Sequence, residues 1–101
     1  MMKLTVLYPH PTDPAAFDAH YRATHALLVQ KIPGLLRFEE AHVVATADGS
    51  PAPYFLIAEL YFESVESFQA GMSSPEGQAT ATDVPNFATG GATLMICDVT
   101  P

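Results

Sequence analysis

Residues 13–35, DPAAFDAHYRATHALLVQKIPGL, decide the fold of this chain, because they predict one amphipathic helix with both ends marked. Asp13 is a favourable N-cap residue, and Pro14 suits the first helical position, whose N–H has no partner within the helix. Pro33 and Gly34 end the helix, since proline cannot continue it and glycine accepts a left-handed turn. The stretch therefore predicts a helix between Asp13 and the Pro33-Gly34 pair.

The spacing of its apolar residues predicts which face of this helix is buried. The positions that recur at steps of three and four are Phe17, Tyr21, Thr24, Leu28 and Ile32. We expect this stripe to face the core, with Thr24 as its one polar member. Asp18 and Arg22, at i and i+4, are expected to pair towards solvent. His25 lies at the edge of the stripe, roughly 40–60° from its centre at 100° per residue.

Length and composition predict one globular domain over residues 1–101, with 49% hydrophobic and 15% charged residues. The net charge of −7 argues against nucleic acid or an anionic membrane as partner. No window approaches the roughly 20 unbroken apolar residues of a membrane span, and no secretion signal is expected. The single Cys97 excludes an intrachain disulfide, so a cytoplasmic, reducing compartment is the simplest expectation.

The remaining patterns predict alternating strands and helices. The expected strands cover residues 3–8, 35–46, 54–62 and 92–99. Ser64 is expected to cap a helix over 65–72 with Val65, Phe68 and Met72 inward, followed by a short helix over 76–82 and an irregular loop over 83–91. The order β-α-β-β-α-β predicts a ferredoxin-like α+β fold, with an antiparallel four-stranded sheet and both helices on one face.

The two faces of the third strand predict how the sheet is covered. One set of alternating residues is wholly apolar: Leu56, Ala58, Leu60 and Phe62. The other set is mixed: Phe55, Ile57, Glu59 and Tyr61. We expect the first set under the helices, and a partner such as Lys3 or Arg37 for Glu59. The second face is too apolar to meet water over its whole area, which predicts a homodimer through the sheet face. The alternative is a monomer with scattered exposed apolar residues.

Motifs along nearly the whole chain resemble those of the EthD family. The first-helix pattern is Phe17-x-x-His20-Tyr21-x-x-x-His25-x-x-Leu28, ending in Ile32-Pro33-Gly34-Leu35. Residues 4–8 and 10–14 resemble a bacterial branch of the same family. The second half also agrees with the family, at residues 58–62, 64–68 and 74–78 and in the pattern Asp83-x-x-Asn86-Phe87. The family is named after a protein needed for ethyl tert-butyl ether degradation alongside a cytochrome monooxygenase system.

This resemblance implies a dimeric α+β barrel, in which two sheets pair across a dimer and each subunit keeps a pocket between its own helices and sheet. The same superfamily holds cofactor-independent monooxygenases, polyketide cyclases, muconolactone isomerases and haem-degrading enzymes. Fold-level kinship does not fix a reaction, so the site residues must carry the functional hypothesis.

His25 is the candidate catalytic residue. On the helix face that meets the sheet, it would look into the pocket with Tyr21 one turn earlier, and an unperturbed pKa of about 6.5 suits a general acid or base. The alternative is a histidine that only packs and bonds a backbone carbonyl. His20 and His25 lie five residues apart, which turns their rings about 140° apart on an α-helix, so no metal site is expected.

Six further residues are candidates for binding a substrate: Tyr21, His10, Tyr8, Asp83, Asn86 and Phe87. The tyrosines offer phenolic donors, and His10 lies in a proline-rich loop at a strand end, where sites often occur. If the loop after the second helix covers the pocket, Asp83 orients a histidine and Asn86 bonds a substrate oxygen. Core packing for the tyrosines, and turn formation for the others, are the structural alternatives.

Two functions of different classes stay open. The first is a small enzyme that binds a hydrophobic metabolite between the first helix and the sheet. It would act as a cofactor-independent oxidoreductase of the monooxygenase type, or as an isomerase or cyclase, with His25 as acid/base. The second is a non-catalytic binding or accessory protein that serves a partner oxygenase. No tightly bound cofactor is expected, and ligation of haem iron by His25 is a third, less favoured hypothesis.

Overall fold

The computed structural model describes residues 1–101 and confirms the ferredoxin-like α+β fold. The strands are β1 (Met2–Pro9), β2 (Leu35–His42), β3 (Tyr54–Phe62) and β4 (Thr93–Asp98). They form one antiparallel sheet in the order β2-β3-β1-β4, so β1 and β3 are central and β2 and β4 are edges. The second strand is shorter than predicted, because its pairing with β3 ends at His42 rather than Thr46.

The first helical stretch is one continuous run. Its three parts are α1 (Pro14–His20), a π-helical segment (Tyr21–His25) and α2 (Ala26–Gln30). The predicted cap is confirmed, since Oδ1 of Asp13 accepts a hydrogen bond of 3.1 Å from the N–H of Ala16. The helix ends at Gln30, earlier than predicted. Gly34 then takes the expected left-handed turn with φ of +83°, a conformation that glycine adopts without strain.

The π segment shifts the buried face of this helix by one residue. A π turn forms i→i+5 hydrogen bonds and therefore holds one more residue than an α turn. The buried positions are Phe17, Tyr21, His25, Val29 and Ile32. The predicted stripe is therefore wrong at Thr24, which is exposed, and at Leu28, which is only half-buried. His25 lies at the centre of the buried face instead of at its edge.

The second helical region is α3 (Val65–Ser73), α4 (Pro75–Asp83) and a 3₁₀ turn (Val84–Asn86). Ser64 caps α3 as predicted: its Oγ accepts from the N–H of Ser67, whose own Oγ accepts from the N–H of Ser64. Phe68 is buried, but Val65 is 44% exposed rather than inward. The sequence predicted that Asp83 begins an irregular loop. This is wrong, because Asp83 is the last residue of α4. None of the helices is both long and apolar enough to cross a bilayer.

The helix-covered face of the sheet is the one predicted. Its residues in β3 are each at most 4% exposed: Leu56, Ala58, Leu60 and Phe62. Directly opposite them in β1 lie Leu4, Val6 and Tyr8. These two central strands and the first helix therefore enclose the hydrophobic core, which is the main source of stabilisation.

The two predicted ion pairs have different outcomes. On the other face of the sheet, Nζ of Lys3 lies 3.1 Å from Oε2 of Glu59, which confirms one of the predicted partners. The predicted pair of Asp18 with Arg22 does not form. Instead, Oδ1 of Asp18 lies 2.7 Å from Nε2 of His42, because β2 ends beside the first helix.

Candidate functional site

One buried carboxylate, that of Asp83, gathers two imidazoles and an amide. Its Oδ2 lies 3.0 Å from Nδ1 of His25. Nε2 of His20 lies 2.9 Å and 3.0 Å from its two oxygens, and Nδ2 of Asn86 donates to Oδ1 at 2.9 Å. An ionised carboxylate only accepts hydrogen bonds, so the proton of each contact belongs to the nitrogen. His25 is therefore held as the tautomer with a proton on Nδ1.

The π segment explains why two histidines reach the same carboxylate. On an α-helix their five-residue separation would place the rings about 140° apart. The N–H of Ala26 bonds the carbonyl of Tyr21, five residues earlier, so the chain needs more residues to complete this turn. The wider turn brings His20 and His25 to the same side of the helix, where both contact Asp83 at the end of α4. The prediction that the two rings point to different sides of the helix is therefore wrong.

The second ring nitrogen of His25 has no hydrogen-bond partner within the protein, and the residue lines an apolar cavity. No protein group forms a hydrogen bond with Nε2, yet no buried side-chain nitrogen or oxygen lacks a partner, so this atom must border open space. His25 lines a cavity of about 40 Å³ beneath the first helix, and eleven of its thirteen lining residues are hydrophobic. The nitrogen that carries the lone pair is therefore the one a bound molecule would meet.

Two phenol groups border the same cavity. Tyr8 and Tyr21 are 1% and 3% exposed, and their rings meet edge-on with centroids 6.0 Å apart. Burial is the main cause that raises the pKa of both hydroxyls. Both tyrosines therefore stay protonated at neutral pH and keep their hydroxyl hydrogen.

The electrostatics of the site favour a neutral imidazole beside an ionised carboxylate. Burial lowers the pKa of His25 and outweighs Asp83, which raises it, while His20 lowers it further. Burial raises the pKa of Asp83, but the hydrogen bonds from Asn86, His20 and His25 outweigh burial and hold that pKa below its usual value. At neutral pH, His25 is therefore an unprotonated base.

The seven predicted site residues divide into three groups. Those that line the cavity are His25, Tyr8 and Tyr21. Those that hold the imidazole from behind are Asp83, Asn86 and Phe87, the last with its ring centroid 4.6 Å from that of His25. His10 lies elsewhere: it is exposed, and its Nε2 is 2.7 Å from the carbonyl oxygen of Ala52.

His20 is the member of the site that sequence reasoning missed. Its side chain is 31% exposed and stacks on Phe87 with centroids 5.5 Å apart. Two signals could have indicated it: its place in the EthD first-helix pattern, and its five-residue distance from His25, which becomes meaningful once a π turn lies between them. No group of three or more histidine, cysteine, aspartate or glutamate side chains is arranged to hold a metal ion.

Comparisons with known proteins agree with this architecture. The EthD domain matches residues 9–91. The chain is 47% identical over 98 residues to an uncharacterised 11.0 kDa protein in the thcB-thcC intergenic region of Rhodococcus erythropolis, covering 97% of this chain and 94% of that protein. The crystal structure of an EthD family protein from Bacillus halodurans matches with a TM-score of 0.93 at 40% identity, covering 99% of each chain.

A more distant structure shares the fold alone. SnoaB, a cofactor-independent oxygenase from Streptomyces nogalater, matches with a TM-score of 0.64 at 15% identity, covering 99% of this chain and 92% of that one. The family assignment rests instead on the EthD domain match and on the two relatives above 30% identity. This chain belongs to the EthD domain family.

Proposed function

We propose that this protein is an enzyme that abstracts a proton from a small, largely apolar substrate, with Nε2 of His25 as the general base. The observation that carries the proposal is the buried hydrogen bond between Asp83 and Nδ1 of His25. That bond fixes the tautomer and leaves one basic nitrogen, which borders an apolar cavity. Histidine–carboxylate pairs with this division of roles act as bases in many enzymes.

The two tyrosines would stabilise the negative charge that the proton abstraction creates. When a C–H next to a carbonyl group loses its proton to Nε2, the electron pair moves onto the carbonyl oxygen as an enolate. Tyr8 and Tyr21 offer hydroxyl donors at the same cavity, where little water competes for them. The proton left on His25 forms an imidazolium that Asp83 stabilises. Oxygenation, isomerisation and cyclisation can each begin with this step, and SnoaB, described as a cofactor-independent oxygenase, is compatible with such chemistry on this fold.

The proposed step needs no resident cofactor. A porphyrin ring is far larger than the cavity of about 40 Å³ beside His25, which supports a reaction that does not use haem.

One observation favours a second candidate function, that of a non-catalytic carrier for a hydrophobic intermediate used by a partner oxygenase. The cavity lining is hydrophobic at eleven of thirteen positions, which suits ligand retention whether or not a base is present. A carrier requires the cavity but not the titrating nitrogen of His25. A His25 variant therefore distinguishes the two functions, because only the enzyme needs that nitrogen.

Deuterium exchange tests the proposal without knowledge of the natural substrate. The probe is 2-butanone in D₂O, and ¹H NMR measures loss of the protons next to its carbonyl group. We expect the protein to accelerate exchange by about 10²-fold, and His25→Gln to remove the acceleration. His10→Gln is the matched control, since His10 is exposed and does not line the cavity. Equal exchange by the wild type and His25→Gln, or no acceleration at all, contradicts the general-base proposal.

We also infer that two copies pair through the outer face of the sheet. Leu7 and Ile57 lie opposite each other on that face, and neighbouring Met95 is 44% exposed. A ferredoxin-like protein of Thermobifida fusca, described as dimeric, shares the fold. Sedimentation should give twice the chain mass of 10.8 kDa for the wild type and a monomer for Ile57→Lys. Val65→Lys, on exposed α3, should remain dimeric, and a monomeric wild type contradicts the inference.

A further inference from the structure

A second apolar space adjoins the cavity at His25. It is a depression of about 400 Å³, open to solvent, and no charged side chain lines it. Ala81, Val84 and Leu94 line both this depression and the inner cavity. The two spaces therefore share a wall that includes three apolar residues.

Leu94 stands at the boundary between them. It pairs with Val6 across the β1–β4 ladder, so both side chains lie on the helix side of the sheet, where Val6 borders the inner cavity. Leu94 nevertheless remains 54% exposed, because β4 is an edge strand. Across from it, Val84 begins the 3₁₀ turn directly after Asp83. Leu94 from the sheet and Val84 from the 3₁₀ turn thus border both spaces.

The sizes of the two spaces indicate what shape of molecule they receive. A cavity of about 40 Å³ has room for a group of only a few heavy atoms. The outer depression is ten times larger and carries no charge to neutralise an ionic group. A compact ligand would fill the first space only, whereas a ligand with a chain would fill both.

From this juxtaposition we infer that the substrate has a small carbonyl-bearing head, which enters the inner cavity, and a neutral apolar tail, which lies in the outer depression. Leu94 and Val84 are then the specificity-determining residues at the junction. The assignment of the head rests on the proposed function of His25, whereas the assignment of the tail rests on the shared wall and the uncharged lining alone. A depression filled by a second copy of the chain would leave no place for the tail.

A series of methyl ketones from 2-butanone to 2-nonanone tests the tail site. Amide chemical-shift changes of the ¹⁵N-labelled protein give Kd for each ketone, and the shifts of Val84 and Leu94 report occupancy. We expect Kd to fall about two- to fourfold for each added methylene while the tail still contacts the depression. Leu94→Lys, which places a charge at the junction, should abolish that trend, and Leu94→Gln should weaken it.

Ile96→Lys is the matched control. Ile96 lies two residues further along β4 on the same side of the sheet, is 62% exposed, and lines neither space, so the trend should persist. Circular dichroism verifies that all three variants fold. A Kd independent of chain length in the wild type, or a trend unchanged in Leu94→Lys, overturns the tail site. A clear trend without deuterium exchange of 2-butanone keeps the tail site and rejects the general base.

Discussion

Of the three histidine–aspartate contacts in this molecule, two have similar lengths but differ in burial and in the number of partners. His42 and Asp18 approach to 2.7 Å, with side chains that are 50% and 35% exposed. His25 and Asp83 approach only to 3.0 Å, but their side chains are 3% and 7% exposed. The shorter contact is in water, where solvent competes for both groups, and the longer one is enclosed. Burial, rather than distance, decides which pair matters for stability and chemistry.

The number of partners separates the pairs further. Asp18 forms one side-chain contact, whereas Asp83 accepts from His20, His25 and Asn86. Removal of Asp83 leaves the buried N–H of His25 without a partner and without water, which is more unfavourable than the loss of one exposed hydrogen bond.

The largest difference is expected from removal of each carboxylate. Asp83→Ala should lower the free energy of unfolding by about 3 kcal/mol, because it strands a buried imidazole N–H and two further donors. Asp18→Ala should lower it by less than about 1 kcal/mol, as for other exposed pairs. Urea denaturation of the two variants measures both values. Equal losses would show that the enclosed pair has no special role in stability.

A smaller effect is expected from pH. The pKa of His25 is lowered in the folded protein, so below about pH 6.5 the unfolded chain binds protons that the folded chain does not. Stability should therefore decrease as pH falls from about 7 towards 5, until the lowered folded-state pKa is reached. His25→Gln should show a shallower decrease when its free energy of unfolding is measured across this range.

His42→Gln is the control for the pH prediction. It removes the exposed histidine and leaves His25 intact, so the decrease below about pH 6.5 should persist. If the pH dependence of His25→Gln matches that of the wild type, the imidazole of His25 is not the group that burial keeps neutral.

The smallest effect is expected at the rim of the buried pair. Asn86 is exposed, yet its amide donates to Oδ1 of Asp83 and lowers the pKa of that carboxyl group. Asn86→Ala should reduce the free energy of unfolding by about 1 kcal/mol and raise the pKa of Asp83. A ¹³C titration of the Asp83 carboxyl resonance measures the pKa. Asn86→Asp, which brings a like charge to the same place, should raise it further, and an unchanged pKa in both variants contradicts the assigned hydrogen bond.

The parts of the fold that were predictable are those governed by short-range chemistry. Asp13 and Ser64 cap helices because each accepts from an N–H three residues later, and Gly34 turns the chain because its φ of +83° is open to glycine. The alternation of β3 identifies its buried face because successive side chains point to opposite sides of a strand. Each of these signals lies within a few neighbouring residues.

The parts that were not predictable depend on contacts between distant segments. An ideal 3.6-residue period predicts that Thr24, rather than His25, lies on the buried face of the helix. The π segment instead places His25 on the buried face, where it forms a hydrogen bond with Asp83, 58 residues away. His20 joins the same carboxylate across 63 residues. A helical period carries no information about such partners, so neither contact is visible in the local pattern.

The sequence by itself thus determined the order of the elements, their caps and turns, the buried side of the sheet and the motifs of the EthD domain. Only the tertiary structure decided that His25 is enclosed, that Asp83 holds its tautomer, and that His20 shares the carboxylate. The physical reason is that caps and alternation are set by neighbouring residues. The register of a helix turn and the pKa of an imidazole, in contrast, are set by whatever packs against them.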